Sequence, residues 1–163
     1  MHKRSILVGA AIAVTVRASL PVLLRAQLRS ALKRLNTGDY EPLLDGFTDD
    51  AVLYFNEGPH RWSGPHVGRD GIERFLKNFV TARLEGEVGR VWMSGPPWAL
   101  QICVRFDDKA RAPDGEQIYA NRAVLWARTR WGKVVEQHDF FEDTGRIRDL
   151  EAKLDELGVP AVG

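Results

Sequence analysis

The chain has 163 residues, 44% of them hydrophobic and 28% charged, with a formal net charge of +1. That length suits one domain with a substantial core, and the near-neutral charge argues against a nucleic-acid partner. The single cysteine, Cys103, excludes an intrachain disulfide and a thiolate metal cluster; within Ile102-Cys103-Val104 it reads as a small buried hydrophobe.

The N-terminus stands apart. Lys3 and Arg4 precede an apolar run from Ile6 to Val16, closed by Arg17. As a helix this run covers about half of a ~30 Å bilayer core. Extending it to Leu24 would bury Arg17 and Pro21 in the membrane, and mid-membrane arginine is costly. A signal peptide fits the basic start, but no small-x-small cleavage site follows. Residues 1–18 are therefore read as a separate segment. An extra helix packed on the domain or a partner, or lying on a membrane surface, ranks ahead of a signal or an anchor. Localisation stays open between cytoplasmic and membrane-associated. The folded domain is expected over 19–158, with 159–163 as a tail.

Ser19 and Pro21 mark the start of a helix whose stripe is Leu24, Leu28, Leu32 and Leu35. Asn36-Thr-Gly38-Asp39 stops it, and a short helix follows through Tyr40–Leu44. Ala51–Asn56 is strand-like, and Gly58–Gly68 reads as a loop rich in Gly, Pro and His. Asp70 with Glu73 has capping-box spacing and opens a helix with Ile72, Phe75, Leu76, Phe79 and Leu84 on its apolar face.

The period then changes. Val88–Ser94, Ala99–Phe106, Gln117–Arg130 and Lys133–Phe141 alternate as strands, with turns at Pro113-Asp-Gly115 and Trp131-Gly132. Arg128, Arg130 and Lys133 cluster about the second turn and read as solvated charge. Thr144 is expected to cap a last helix carrying Ile147, Leu150, Leu154 and Leu157, closed by Gly158. Helices followed by a long meander describe an α+β domain: a cone-shaped, curved antiparallel sheet packed on helices, leaving an apolar pocket at its open end.

Leu35-Asn-Thr-Gly-Asp-Tyr40, Phe47-Thr-Asp-Asp-Ala51, Gly68-Arg-Asp-Gly-Ile72, Gly132-Lys-Val-Val135 and Asp139-Phe-Phe141 together resemble the nuclear transport factor 2-like, or SnoaL-like, superfamily. The resemblance implies its cystatin-like α+β roll over about 120 residues. It fixes function poorly, since the fold hosts isomerases, hydrolases, cyclases and binding modules. A ketosteroid isomerase would need a carboxylate base near the end of the first strand, where the chain reads Leu53-Tyr54-Phe55, and a tyrosine at about Ala31.

The limonene-epoxide-hydrolase branch is the nearer likeness. Arg105-Phe-Asp107 stands before Gly115, and Asp139 after Gly132, as in that branch; Tyr54-Phe-Asn56 has the form of its first-strand pair. The resemblance implies Asp139 as the base that takes a proton from water, Asp107 as the acid that protonates the ring oxygen, and Arg105 between them. Tyr54 and Asn56 would position the water. Two residues apart on a strand, Arg105 and Asp107 share a face. If Asp139 faces the same way, the guanidinium can bond both carboxylates while desolvation keeps one protonated. The plain structural reading of Arg-x-Asp is a cross-strand salt-bridge ladder on the solvated face.

His60, His66 and Asp70 lack a recognised ligand spacing and read as a solvated loop. His138 should point away from Asp139. Trp62, Trp92, Trp98 and Trp126 read as core or pocket wall. Two functions follow. One is a hydrolase or isomerase without cofactor or metal, acting on a small apolar substrate. The other is a ligand-binding or accessory module, with membrane contact through residues 1–18. A homodimer through the outer face of the sheet is expected, because Trp and Val occupy both faces of the meander.

Overall fold

The computed structural model describes residues 22–163; the apolar segment 1–18, the Ser19 cap and Pro21 lie outside the described residues. Helix α1 covers 22–35 and turns Leu32 and Leu35 into the core, with Leu24 and Leu28 partly buried beside them. Gly38 ends this stretch at φ +94°, a conformation that costs glycine little. Helix α2 spans Glu41–Leu44, and strand β1 runs Phe47–Phe55, beginning four residues earlier than its alternation alone suggests.

The stretch expected as a loop holds a strand, β2, at Gly64–Val67. It pairs antiparallel with β1, Val52 facing Val67 and Phe55 facing Gly64. A Gly/Pro-rich segment carries little strand signal of its own; the exposed edge of β1 supplies the hydrogen bonds. Helix α3 spans Gly68–Thr81 and starts before Asp70, with Val67 at the N-cap and no side-chain cap. Asp70 instead sits in the first turn, where its charge suits the helix dipole. Glu73 accepts from the Tyr40 hydroxyl at 2.9 Å and pairs with Lys77 rather than closing a capping box. Ile72, Phe75, Leu76 and Phe79 are buried as expected, while Leu84 opens the next strand.

Strands β3 (Leu84–Ser94), β4 (Gln101–Arg111), β5 (Gln117–Arg130) and β6 (Lys133–Phe141) form the antiparallel meander. Trp131 and Gly132, at φ +51° and +83°, make the tight β5–β6 turn. The strand order is β2-β1-β6-β5-β4-β3, and β1 pairs parallel to β6. The curved sheet is therefore mixed, not antiparallel throughout. Alternation shows that β1 is a strand but carries no information on its direction relative to a strand so far along the chain. Helix α4 spans Thr144–Glu156; Asp143, not Thr144, caps it, its Oδ1 accepting from the Gly145 and Arg146 amides at 2.9 and 3.4 Å. Ile147, Leu150 and Leu154 are buried, whereas Leu157 lies exposed beside Gly158.

One core joins the helices to the inner face of the sheet, each fully buried large side chain contributing roughly 1.5–3 kcal/mol. On β4 that face carries Ile102, Val104, Phe106, Asp108 and Ala110. Cys103 lies on the opposite face, half-buried between Trp92 and Trp126 on the neighbouring strands, so it is not the buried hydrophobe expected. Of the tryptophans expected inside, Trp62 is buried, Trp126 is half-buried, and Trp92 and Trp98 are exposed.

Candidate functional site

The sheet does not bring the five expected site residues together. Arg105 and Asp107 lie on the outer face of β4, where Arg105 pairs with Asp107 at 3.5 Å. Arg122 of β5 bonds Asp107 at 3.0 Å and reaches Glu142 at 3.6 Å. This is the solvated ladder, and such exposed pairs contribute about 0–1 kcal/mol each. Tyr54 is also outward, its ring stacked on His138 at 4.5 Å. His138 points away from Asp139, as alternation requires. Asn56 follows the end of β1, with its Oδ1 buried and unpartnered among the described residues. Asp139 alone of the two expected carboxylates faces inward, only 8% exposed. The cause is the phase of β4: Ile102, Val104 and Phe106 take the inner positions, so Arg105 and Asp107 take the outer ones.

Asp139 sits on β6 with its Oδ1 accepting from Gln137 Nε2 at 2.8 Å. Burial pushes its carboxyl up to about 7; the Gln137 bond opposes this, and the charge of Asp108 adds to it. Asp108 is the inward carboxyl of β4. Tyr119 of β5 donates its hydroxyl to Asp108 Oδ2 at 3.2 Å, while Oδ1 is buried without a partner among the described residues. Burial pushes Asp108 up to about 7 as well, against the Tyr119 bond and with help from Asp107. Burial likewise raises the Tyr119 hydroxyl.

The register locates the two carboxyls. Val104, Leu125 and Asp139 share one inward rung of β4, β5 and β6; Phe106, Ala123 and Phe141 share the next; Asp108 faces Asn121 on the third. Two residues before Asp108, where the epoxide-hydrolase pattern has arginine, stands Phe106. An aromatic ring, not a guanidinium, occupies the inner position beside each carboxyl's rung. Among the described residues no cation there stabilises either charged form, in keeping with the raised values.

Phe55 continues the inner face of β1, and around it gather Phe141 (5.0 Å between centroids), Phe75 (5.5 Å), His60 (5.6 Å) and Trp62 (6.5 Å). His66 is buried, its Nε2 bonded to the Trp62 carbonyl at 2.9 Å. The two histidines are thus packed rather than solvated, and burial lowers the pKa of each. Among the described residues no group of His, Cys, Asp and Glu could hold a metal ion. A cleft of about 720 Å³ opens between α1 and strands β3–β5. Polar and charged side chains dominate its lining, unlike the apolar cup expected.

Asp108, Tyr119 and Gln137 escaped the sequence reading. The signal for Asp108 was present: it continues the Ile102-Val104-Phe106 alternation, whereas Asp107 does not.

A family model for the SnoaL-like domain matches residues 28–137. The chain belongs to the SnoaL-like domain family. No curated protein sequence matches it. Among solved structures, it is similar to an NTF2-like protein of unknown function from Burkholderia pseudomallei, with 20% identity and a TM-score of 0.63 over 77% of this chain and 95% of that one. TerC co-crystallised with polyporic acid gives 18% identity and a TM-score of 0.59 over 78% and 96%. A cystatin-like protein of unknown function from Methylobium petroleophilum gives 14% identity and a TM-score of 0.59 over 76% and 78%. These likenesses establish the fold.

Proposed function

We propose that this domain is a cofactor-free hydrolase or isomerase acting on a small, largely apolar molecule, with Asp139 moving the proton. One observation carries the reading: a carboxyl buried on the inner face, held at one oxygen by Gln137 and poised near neutrality. Such a group exists in both protonation states at neutral pH, so it can take a proton from water or an acidic carbon and return it. Isomerisation needs no more than this one carrier. Epoxide opening by direct attack of water is the sharper version and needs a second acid; Asp107, Arg105 and Tyr54 are on the outer face, and Asp108, the other inward carboxyl, stands beyond the Phe106-Ala123-Phe141 rung from Asp139. That TerC, which shares the fold, was co-crystallised with polyporic acid is in keeping with a small organic ligand.

A second reading, a ligand-binding module without turnover, is favoured by Phe106, which leaves both carboxyls without the bridging cation. The active form in either case is a homodimer whose second copy covers the outer face of the sheet.

Turnover of a panel of small epoxides decides between the two. Asp139→Asn should abolish diol formation with the fold intact, because an amide cannot accept water's proton. In a single turnover in labelled water, the label should enter the diol directly. Ligand binding with no turnover on any member assigns the binding module instead.

A further inference from the structure

Asp108 is a feature the Asp139 chemistry leaves unexplained. It is only 5% exposed, its Oδ1 has no partner among the described residues, and it lines the cleft between α1 and β3–β5. A buried carboxyl oxygen without a donor is costly, by about 1–3 kcal/mol or more, so a donor from outside the described residues that reached it would be favoured.

The surroundings indicate what would satisfy it. Tyr119 already occupies Oδ2, and the adjacent Asp107 adds negative charge. Rim charges are engaged with one another: Lys109 pairs with Glu85 at 3.3 Å and Arg122 with Asp107 at 3.0 Å. Arg146 donates to the Ala120 carbonyl at 2.9 Å. Arg29 and Lys33 of α1, with Glu87 and Glu142, complete the titratable lining, so basic and acidic groups balance. Paired with Asp108 on β3 is Gly86, held by two hydrogen bonds to Asn36, the residue after α1, at 2.9 and 3.1 Å. A Cβ at Gly86 would come within 2.3 Å of the Phe106 ring, so that ring packs directly on the glycine backbone and forms the wall at this point. Leu32 and Val88 give the cleft an apolar strip.

We propose that this cleft is a ligand site in its own right, taking a small, partly apolar molecule through a hydroxyl or ammonium that donates to Asp108 Oδ1. The two donors share the recognition chemistry and differ in charge. An ionised Asp108 attracts an ammonium by charge as well as by hydrogen bond; a hydroxyl depends on the bond alone. The Phe106-Ala123-Phe141 rung stands between this site and Asp139, so the proposal does not depend on Asp139 catalysis.

The test is a ¹H–¹⁵N NMR titration of the full chain with benzylamine and with benzyl alcohol, at about pH 8 and about pH 5.5. Saturable shifts of the Gly86, Asp108 and Asn121 amides are expected from at least one probe. Asp108→Asn should weaken that binding about tenfold or more. An ammonium site shows benzylamine weakening at the lower pH, where Asp108 is protonated, with benzyl alcohol little changed; a hydroxyl site binds benzyl alcohol at least as well. The proposal is overturned if neither probe shifts these amides, or if Asp108→Asn binds as tightly as wild type. Should that variant not fold, the wild-type titrations decide: absence of saturable shifts from both probes overturns the site. Because the readout is binding at cleft amides, it is independent of any loss of turnover at Asp139.

Discussion

Asp107 and Asp108 are neighbours in the chain and lie on opposite faces of β4. Asp107 meets Arg122 at 3.0 Å in solvent, and Asp108 receives the Tyr119 hydroxyl at 3.2 Å in the interior. Removing Asp107 therefore removes a screened ion pair. Asp107→Asn and Arg105→Gln should each change stability by no more than about 1 kcal/mol and leave turnover at its wild-type level. Denaturant titration and a turnover assay of both variants check this. A tenfold loss of turnover in either would return the outer pair to the site.

Stability should fall as pH rises through neutrality. Asp139 and Asp108 are each raised to about 7 in the folded protein, against about 3.9 for an unfolded aspartate. Between those values the native state holds more protons than the unfolded one. Their stabilising effect is complete below the unfolded value and is lost as pH passes the folded one. The exposed carboxylates Asp50, Glu73 and Glu136, shifted down by hydrogen-bond partners, act oppositely in more acidic solution, and His60 and His66, shifted down by burial, act oppositely below about 6.5, but by less than the two aspartates. Melting temperature should thus be higher near pH 5 than near pH 8, roughly, and Asp139→Asn should flatten the profile. A wild-type profile that rises over that interval contradicts the buried-acid account.

Arg61 clamps the C-terminal part of the domain. Its side chain is 1% exposed, bonds Glu151 at 3.0 Å, and donates to the Val159 and Pro160 carbonyls at 2.9 and 3.2 Å. Glu151 also accepts from the Arg61 amide. Removing one partner strands the other charge in the interior, so Arg61→Met should cost on the order of 3–5 kcal/mol. The double variant with Glu151→Leu should recover part of it. Equal losses in the single and double variants, by chemical denaturation, would refute this coupling.

The outer face of the sheet is the expected dimer surface. Tyr54, Trp92, Val124 and Phe140 are each more than 40% exposed there, and Tyr54, His138 and Phe140 form a stacked row. Phe140→Glu should place charge within that row and shift sedimentation toward the monomer without lowering secondary structure. A wild-type chain that sediments as a monomer well above micromolar concentration removes the dimer.

The sequence by itself determined what depends on neighbouring residues. β5 and β6 lie where alternation sets them, and the apolar faces of α1 and α3 are those of their leucine, isoleucine and phenylalanine stripes. Even the phase of β4 was written in Ile102, Val104 and Phe106, because a period-two pattern assigns every residue to a face; a likeness to Arg-x-Asp drew the reading to the other one. What tertiary structure alone decided is which elements meet. Local pattern is blind to the parallel pairing of β1 with β6 and to the edge that makes Gly64–Val67 a strand, since their hydrogen-bond partners come from distant parts of the chain or lack a strand signal. The same holds at the site: burial behind helices and a curved sheet raises Asp139 and Asp108 toward neutrality, and only the strand register sets the Phe106-Ala123-Phe141 rung between them.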